Sequence, residues 1–236
     1  MREYSDLEQI RITKLERLKA AGLEAYPTRA ERTHTSAQAL ADYQAAAPTD
    51  SHAPHGEYTL AGRIRAIRVM GKSAFAHIED GDGRIQLYLK INDVGAEAYQ
   101  LFVDAFDLGD FSQASGGLFK TKTGEVTLWV KSFRMLAKAI SPLPAAKEEV
   151  VDGEKRVYSA FDNPEARYRE RYADLAVNAE VREIFRARAR IVSALRRFLD
   201  GNGFLEVETP VLQPLYGGAA ARPFVTHHNQ LHQDLY

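Results

Sequence analysis

The sequence predicts an α+β protein: an N-terminal helix, then a five-stranded β-barrel, then a further domain that opens with a long helix. Apolar residues recur at helical spacing near the N-terminus and again near residue 180. Between them, residues 57–137 contain successive alternating or β-rich runs separated by glycine-containing turns. A chain of 236 residues exceeds the usual size of one domain, so we expect more than one.

The first predicted element is an amphipathic helix over residues 5–21. Asp6 lies close to its start and Gly22 just beyond its end. The run AAAPTDSHAPHG at 45–56 is rich in alanine, proline and short polar residues, which favours an exposed connector. Residues 1–56 are therefore predicted to be a helical extension and connector. The apolar residues of the helix are Leu7, Ile10, Ile12, Leu15 and Leu18.

The barrel is predicted from the order of the next elements. Three strands are expected at 58–70, 73–80 and 84–90, a helix at 93–106, a strand with glycine bends within 108–124, and a last strand at 125–136. A helix after the third of five strands matches the OB fold, whose face formed by strands one to three binds oligonucleotides. We place this domain at 57–137.

Several side chains on the predicted barrel are suited to binding nucleic acid. Phe75 offers a ring that can stack on an unpaired base, Gln86 an amide that can read a base edge, and Glu125 an acceptor. Alternation places Arg63 and Arg65 on one face of the first strand. The pattern alone leaves open that Phe75 is a core residue and that the charges only solvate a surface. Further cations on or just after the first strand are Arg68 and Lys72.

The remainder of the chain predicts a linker and a second domain. Residues 138–178 carry prolines and mixed charge without a sustained period, which favours a linker. A helix is expected over 179–200, with a strand at 204–212 directly after it. The arginines of this helix either contact phosphates or line a solvated face. The predicted second domain is 179–236.

Composition excludes several classes of function. The absence of cysteine excludes disulfides and thiolate chemistry and fits a reducing compartment. Neither a signal sequence nor a run of about 18 apolar residues occurs, so we expect a cytoplasmic protein with no membrane partner. The net charge of −1 requires any nucleic-acid affinity to come from local patches. A metal site is not expected at His227, His228 and His232, because adjacent strand residues point to opposite faces.

The most specific segment is GFLEVETPVLQPLYGGAAARPFVTHHNQLHQDLY at 203–236. It resembles the class II aminoacyl-tRNA synthetases, and among them the lysyl-tRNA synthetases of bacterial type. The long helix with GFLEVETPVL is similar to the first class-defining motif, which implies a homodimer interface ending at Pro210. The loop GGAAARPF resembles the entrance of the lysine pocket. This resemblance implies Gly218, and less firmly Gly217, as lysine contacts.

Upstream motifs extend the resemblance to about residues 57–236. AGRIRAIRVMGKSAFAHIEDGDGRIQLYL, TKTGEV and RYRERYADL are similar to the family's anticodon-binding barrel and its junction with the catalytic domain. The resemblance implies that Phe75, Gln86 and Glu125 hold the central uridine of the anticodon, with Arg63 and Arg68 as supporting contacts. It further implies a catalytic domain built on an antiparallel sheet, of which 179–236 is the incomplete beginning.

The resulting functional prediction is an ATP-dependent lysine–tRNA ligase, present as a truncated chain that keeps anticodon binding. The resemblance implies ATP as substrate and Mg²⁺ as cofactor, with the ATP, metal and catalytic residues expected beyond Tyr236. We therefore expect no catalytic residue or metal ligand within this chain, and no aminoacylation by it alone. The alternative is a stand-alone tRNA-binding or regulatory module. The pocket loop argues against a third reading, a relative specific for aspartate or asparagine.

Overall fold

The computed structural model describes residues 3–144, 147–151, 154–158, 161–217, 220 and 222–236, with side chains described outside 145–160. The chain divides into two compact units, a barrel unit (Met1–Arg156) and a C-terminal unit (Val157–Tyr236). Each unit is described by itself below. None of the helices in these described ranges is long and apolar enough to cross a membrane.

Two helices precede the barrel. Helix α1 (Asp6–Ala20) begins at Ser5, whose hydroxyl accepts from the Glu8 backbone while the Glu8 carboxylate accepts from Ser5. This reciprocal cap explains why the predicted range of 5–21 is met so closely. Helix α2 (Ser36–Ala46) was not predicted, and it begins with the same type of reciprocal cap between Thr35 and Gln38.

Five strands form a closed barrel. They are β1 (His55–Met70), β2 (Ser73–Glu79), β3 (Arg84–Lys90), β4 (Phe111–Lys120) and β5 (Val126–Ala137). Their order around the barrel is β1-β2-β3-β5-β4, with β3 and β5 parallel and the other pairs antiparallel. Helices α3 (Ile91–Val94) and α4 (Ala96–Ala105) lie between β3 and β4 in the sequence. The predicted fold class, an N-terminal helix followed by a five-stranded OB-fold barrel, is confirmed.

Alternation along the strands separates an inner from an outer face. On β2 and β3 every second residue is buried, so the intervening residues, Phe75 and Gln86 among them, lie on the outer face. The inner residues of the barrel form one apolar core with α4. Its most deeply buried members include Leu60, Ile64, Ile78, Leu87, Leu89, Phe102, Leu118, Leu128 and Val130.

A β-bulge in β1 changes which of its residues face outward. The pairing with β2 shifts between Ile64 and Ala66, leaving Arg65 as the extra residue. Beyond the bulge, Arg68 pairs with Phe75 on the outer face, whereas strict alternation from Arg63 would have turned it inward. The bulge therefore brings Arg68 to the same face as Phe75.

Buried charges join α1 to one end of the barrel. Lys138 Nζ, which is fully buried, lies between the carboxylates of Asp107 and Asp110, 2.8 Å from Asp110 Oδ2. Lys14 on α1 reaches Asp107 Oδ1 at 2.6 Å. Arg11 on the same helix donates to two backbone carbonyls of the barrel unit at 2.8 and 3.0 Å. The N-terminal helix is thus fixed to the barrel by ionic and polar contacts.

The predicted linker, 138–178, contains regular structure. It includes strands β6 (Lys147–Val151) and β7 (Glu154–Tyr158), which pair with each other, and helices α5 (Pro164–Arg169) and α6 (Arg171–Val177). Asn163 caps α5, and Asp174 of α6 is buried between Arg167 and Arg171. A side-chain cap stabilises α5, and the ion pairs of Asp174 join α5 to α6. No sustained hydrophobic period in the sequence indicates these two helices.

Helix α7 (Ala179–Gly201) matches the predicted range of 179–200 within one residue. The strand expected over 204–212 is wrong, since the described residues there form no regular strand. A strand needs a partner to satisfy its backbone groups, and none pairs with this segment among the described residues. Strands β8 (Thr226–His228) and β9 (Gln233–Leu235) form a small antiparallel pair.

Candidate nucleic-acid interface on the barrel

A groove of about 700 Å³ runs across the outer face of the barrel. All five strands and the turn between β4 and β5 contribute its walls. Apolar rings, amide and hydroxyl groups, and cations all line it, which is the mixture that single-stranded nucleic acids require. The residues that line the groove include Arg68, Phe75, His77, Arg84, Gln86, Tyr88, Phe119, Lys122 and Trp129.

Aromatic rings form one side of the groove. Phe75 and Tyr88 are cross-strand partners whose ring centroids lie 4.9 Å apart. Tyr88 in turn meets the Trp129 ring edge-on at 5.3 Å, and Phe119 meets Trp129 at 5.0 Å. The Trp129 indole is held by a hydrogen bond from Nε1 to Asp93 at 2.8 Å. Phe75 is therefore an outer-face residue, and the alternative that it belongs to the core is wrong.

Hydrogen-bonding groups also line the groove, and Glu125, which is not itself a lining residue, is bonded to two of them, His77 and Gln86. Gln86 Nε2 donates to Glu125 Oε2 at 2.9 Å, and the hydroxyl of Thr127 donates to Gln86 Oε1 at 2.9 Å. The imidazole of His77, which is paired with Gln86 across the strands, lies 3.0 Å from Glu125 Oε1. The Gln86 amide and the Glu125 carboxylate are thus held side by side. Phe75 lies near them, two residues before His77 on β2.

The predicted cations divide between two places. Arg68 lines the groove, and Arg84 and Lys122 line it as well. Arg63 does not line it; its guanidinium lies 4.3 Å from the Phe111 ring centroid and donates to the Gly109 carbonyl. Burial and the neighbouring Arg65 lower the pKa of Arg63, and Glu79 opposes them. The predicted role of Arg63 as a supporting contact stays a prediction.

The predicted site residues of the C-terminal unit are only partly among the described residues. Gly218 lies outside the described residues, and Gly217 is exposed with open space around it. Pro210 is exposed, and its carbonyl accepts from the Gln213 side chain at 3.5 Å. His227 pairs with Asp234 at 2.8 Å. These predicted roles in lysine binding and dimerisation stay predictions.

Sequence reasoning missed several groove residues. His77, Tyr88 and Trp129 all line the groove, but only Phe75 and Gln86 were selected from β2 and β3. Alternation would have found two of them, because His77 and Tyr88 lie two residues beyond Phe75 and Gln86 on the same faces. Trp129 becomes a neighbour only through the parallel pairing of β3 with β5, which no local pattern indicates.

The barrel and its groove define a nucleic-acid-binding OB-fold protein. Residues 58–136 match the family described as OB-fold nucleic acid binding domain, and residues 163–236 match the family of class II tRNA synthetases (D, K and N). The predicted domain limits at 57, 137 and 179 remain predictions, since the division between the two compact units falls elsewhere, after Arg156.

Similarity to known proteins extends along nearly the whole chain. Over 99% of its length it is 52% identical to a lysine–tRNA ligase of Roseiflexus castenholzii and 54% identical to one of Chloroflexus aurantiacus, and it covers 45% of each. It is 46% identical to that of Pelotomaculum thermopropionicum, of which it covers 42%. The predicted resemblance to lysine–tRNA ligases is thus confirmed over nearly the whole chain. It spans less than half the length of these relatives.

Proposed function

We propose that the groove binds the anticodon of a lysine tRNA and that Phe75, Gln86 and Glu125 hold its central uridine. The observation that carries the proposal is the hydrogen-bonded pair of Gln86 and Glu125 near a half-buried aromatic ring of the groove, within an OB-fold barrel. Similarity to lysine–tRNA ligases over 99% of the chain supports the choice of tRNA.

Uracil suits these groups chemically. Its edge offers one N–H donor at N3 and two carbonyl acceptors. Gln86 Nε2 carries two hydrogens and donates one to Glu125, so the second remains for a uracil carbonyl. The Glu125 carboxylate has four lone-pair sites and can also accept from N3–H. Stacking on Phe75 contributes about 1–3 kcal/mol regardless of the base.

The cations of the groove supply the attraction for phosphates. Arg68 stands opposite Phe75 across the strand pair, and Arg84 and Lys122 lie along the same groove. A contact from each of them to the RNA backbone would neutralise charge locally, which a chain of net charge −1 needs. Arg63 is proposed as a supporting contact because it lies on the same strand as Arg68, β1.

For the whole protein we propose ATP-dependent lysine–tRNA ligase activity in the cytoplasm, with lysine, ATP and Mg²⁺. Class II similarity over 163–236 supports this reading over a stand-alone binding module. Among the described residues, no group of three or more histidines, aspartates or glutamates is arranged to hold a metal ion. None of the described residues is proposed to bind Mg²⁺ or to act in adenylate formation. Gly217 and Gly218 remain proposed lysine contacts.

We also propose that the ligase is a homodimer joined through α7 and the segment ending at Pro210. The apolar residues of α7 are exposed, with Leu195 58% and Phe198 66% accessible. An exposed apolar stripe of this size favours association. Sedimentation of the chain at several concentrations tests this proposal, and a monomer at all concentrations would contradict it.

The anticodon proposal predicts a selective kinetic effect of Gln86→Ala in the complete ligase. Loss of the Gln86 hydrogen bonds, one of them to the charged Glu125, should raise the KM for tRNA by about tenfold or more. Lysine-dependent exchange of pyrophosphate into ATP, which needs no tRNA, should be unchanged. Gln113→Ala is a matched control, since Gln113 is bound to Arg134 outside the groove. An equal loss of the exchange reaction in Gln86→Ala would contradict the proposal.

The 236-residue chain is still expected not to aminoacylate tRNA by itself. Aminoacylation by the isolated chain, at a rate near that of the complete ligase, would contradict this expectation without affecting the anticodon proposal. Binding of tRNA by the isolated chain is expected in either case.

A further inference from the structure

His77 lines the groove, but the proposed recognition of uridine gives it no role. His77 lies on the outer face of β2, two residues after Phe75 and directly opposite Gln86. Its side chain is about one-fifth exposed and lines the groove. An imidazole in this place either fills space or acts on its neighbours through hydrogen bonds.

The hydrogen bonds of Glu125 decide between these roles. His77 Nε2 lies 3.0 Å from Glu125 Oε1, and Gln86 Nε2 donates to Oε2 at 2.9 Å. A carboxylate oxygen accepts hydrogen bonds, so His77 Nε2 carries a hydrogen. The 3.5 Å approach of His77 Nε2 to Gln86 Nε2 then joins two donors and is not itself a hydrogen bond. Each oxygen of Glu125 is held by a different donor.

The amide of Gln86 is fixed by the same network. Thr127 donates to Gln86 Oε1 at 2.9 Å, which turns Nε2 toward Glu125. In the flipped amide, the carbonyl oxygen would face Glu125 Oε2 at 2.9 Å, where two acceptors repel each other. Gln86 is therefore supported by Thr127, whereas His77 is the second support of Glu125.

Glu125 needs that support because of its position. It lies at the end of the turn between β4 and β5, and its side chain is 46% exposed. A long exposed side chain loses rotamer freedom when it binds a ligand, and prior fixation removes that cost. Two donors occupy two of the four lone-pair sites of the carboxylate and leave two for a base.

We propose that His77 is a positioning residue that holds the Glu125 carboxylate toward the base and so sets the preference for uracil over cytosine. This inference rests on the proposed function. Uracil presents a donor at N3, and the held carboxylate accepts from it. Cytosine presents an acceptor at N3, which the same carboxylate repels. Without His77, Glu125 is held on one side only and turns away from either base.

Fluorescence of the chain itself can measure the preference. The sequence contains a single tryptophan, Trp129, and it lines the groove. We would titrate the chain with an RNA hairpin that has UUU as its anticodon and with the same hairpin carrying UCU. The parent protein is expected to bind the UUU hairpin more tightly.

His77→Ala should weaken binding of the UUU hairpin by about tenfold, the effect of one hydrogen bond to a charged group. Binding of the UCU hairpin should not weaken, because the lost contact does not favour cytosine and Glu125 no longer repels its N3. His77→Gln, which restores an N–H donor, should recover most of the preference. His34→Ala is the matched control, since His34 pairs with Asp42 at 3.1 Å outside the groove.

Two results would overturn the role of His77 alone. In the first, His77→Ala keeps the parent preference for UUU over UCU. In the second, it weakens both hairpins equally while its thermal unfolding matches that of the parent, as expected for a residue that only fills space. The failure of the proposed function looks different: Phe75→Ala would leave both hairpins bound as tightly as by the parent, and the role of His77 would fall with it.

Discussion

The barrel and helix α7 both carry a regular pattern of apolar residues but differ in what covers them. In the barrel, Leu60, Leu87 and Leu128 are at most 2% exposed, because the inner faces of five strands close on one another. On α7, Ile184 and Leu195 are 65% and 58% exposed. A closed sheet supplies its own partners, whereas a single amphipathic helix does not.

This difference separates the two units in stability and in function. The barrel unit has an internal core and, at one end, buried charges that fix α1 to it. In the described part of the C-terminal unit, the buried apolar side chains are Ala173 and Val181. The groove is thus built on a rigid scaffold, and we expect the barrel to keep its fold whatever happens to α7.

The largest effect is expected from Lys138→Ala. The change leaves Asp110 and Asp107 without their buried cation, and breaking such a pair costs about 3–5 kcal/mol. Urea unfolding followed by Trp129 fluorescence measures it. Lys131→Ala is the control, since Lys131 is 67% exposed and 4.0 Å from Glu57, and it should change stability by less than about 1 kcal/mol. Equal effects of the two variants would contradict the account.

A smaller effect is expected from acid, and it sharpens the comparison because each unit contains an ion-paired carboxylate with a lowered pKa, Asp107 in the barrel unit and Asp174 in the C-terminal unit. Burial alone would raise the pKa of Asp107, but hydrogen bonds from Lys138 and Lys14 outweigh it and lower the pKa below its usual value. Burial alone would also raise the pKa of Asp174, but hydrogen bonds from Asn178 and Arg167 lower it below its usual value.

The direction in which stability changes with pH follows from these lowered pKa values. The stabilisation is fully present above the unfolded pKa of about 3.9 and is lost as the pH falls through the lower folded value. Asp107→Asn should therefore flatten the loss of barrel stability below about pH 4. Urea midpoints of Trp129 fluorescence across this range measure it, and an unchanged slope would count against the role of the buried cluster.

The smallest effect is expected from Leu195→Ala on α7. An exposed position should change the free energy of unfolding of the monomer by about 0.5 kcal/mol or less. The matched change in the barrel, Leu128→Ala, should cost about 2–5 kcal/mol. Thermal unfolding at low protein concentration compares them. A large loss in Leu195→Ala, measured where the chain sediments as a monomer, would mean that α7 is covered within the monomer and would break the comparison.

Local patterns predicted much of the fold, and tertiary pairing accounts for the rest. The ends of α1 and α7 follow from a cap and from helical period. The positions of the five barrel strands along the sequence followed from alternation and turn residues. Alternation could not show the bulge at Arg65 that turns Arg68 outward, because a bulge depends on the partner strand. It also gave a strand at 204–212 that has no partner among the described residues.

The candidate site was predicted in the same uneven way. The resemblance selected Phe75, Gln86 and Glu125, and the fold brings all three to one region of the outer face. Arg63 was selected with them, but it is held against Phe111. The supports of the site, His77 and Thr127, act through hydrogen bonds between strands, which spacing along one strand does not reveal.

The central claim is that the barrel groove recognises the central uridine of a lysine anticodon. The most direct measurement compares the affinity of the 236-residue chain for hairpins carrying UUU and UCU anticodons, by quenching of Trp129. We predict that UUU binds at least about tenfold more tightly and that Phe75→Ala weakens both. Equal affinity for the two hairpins, with no effect of Phe75→Ala, would contradict the claim.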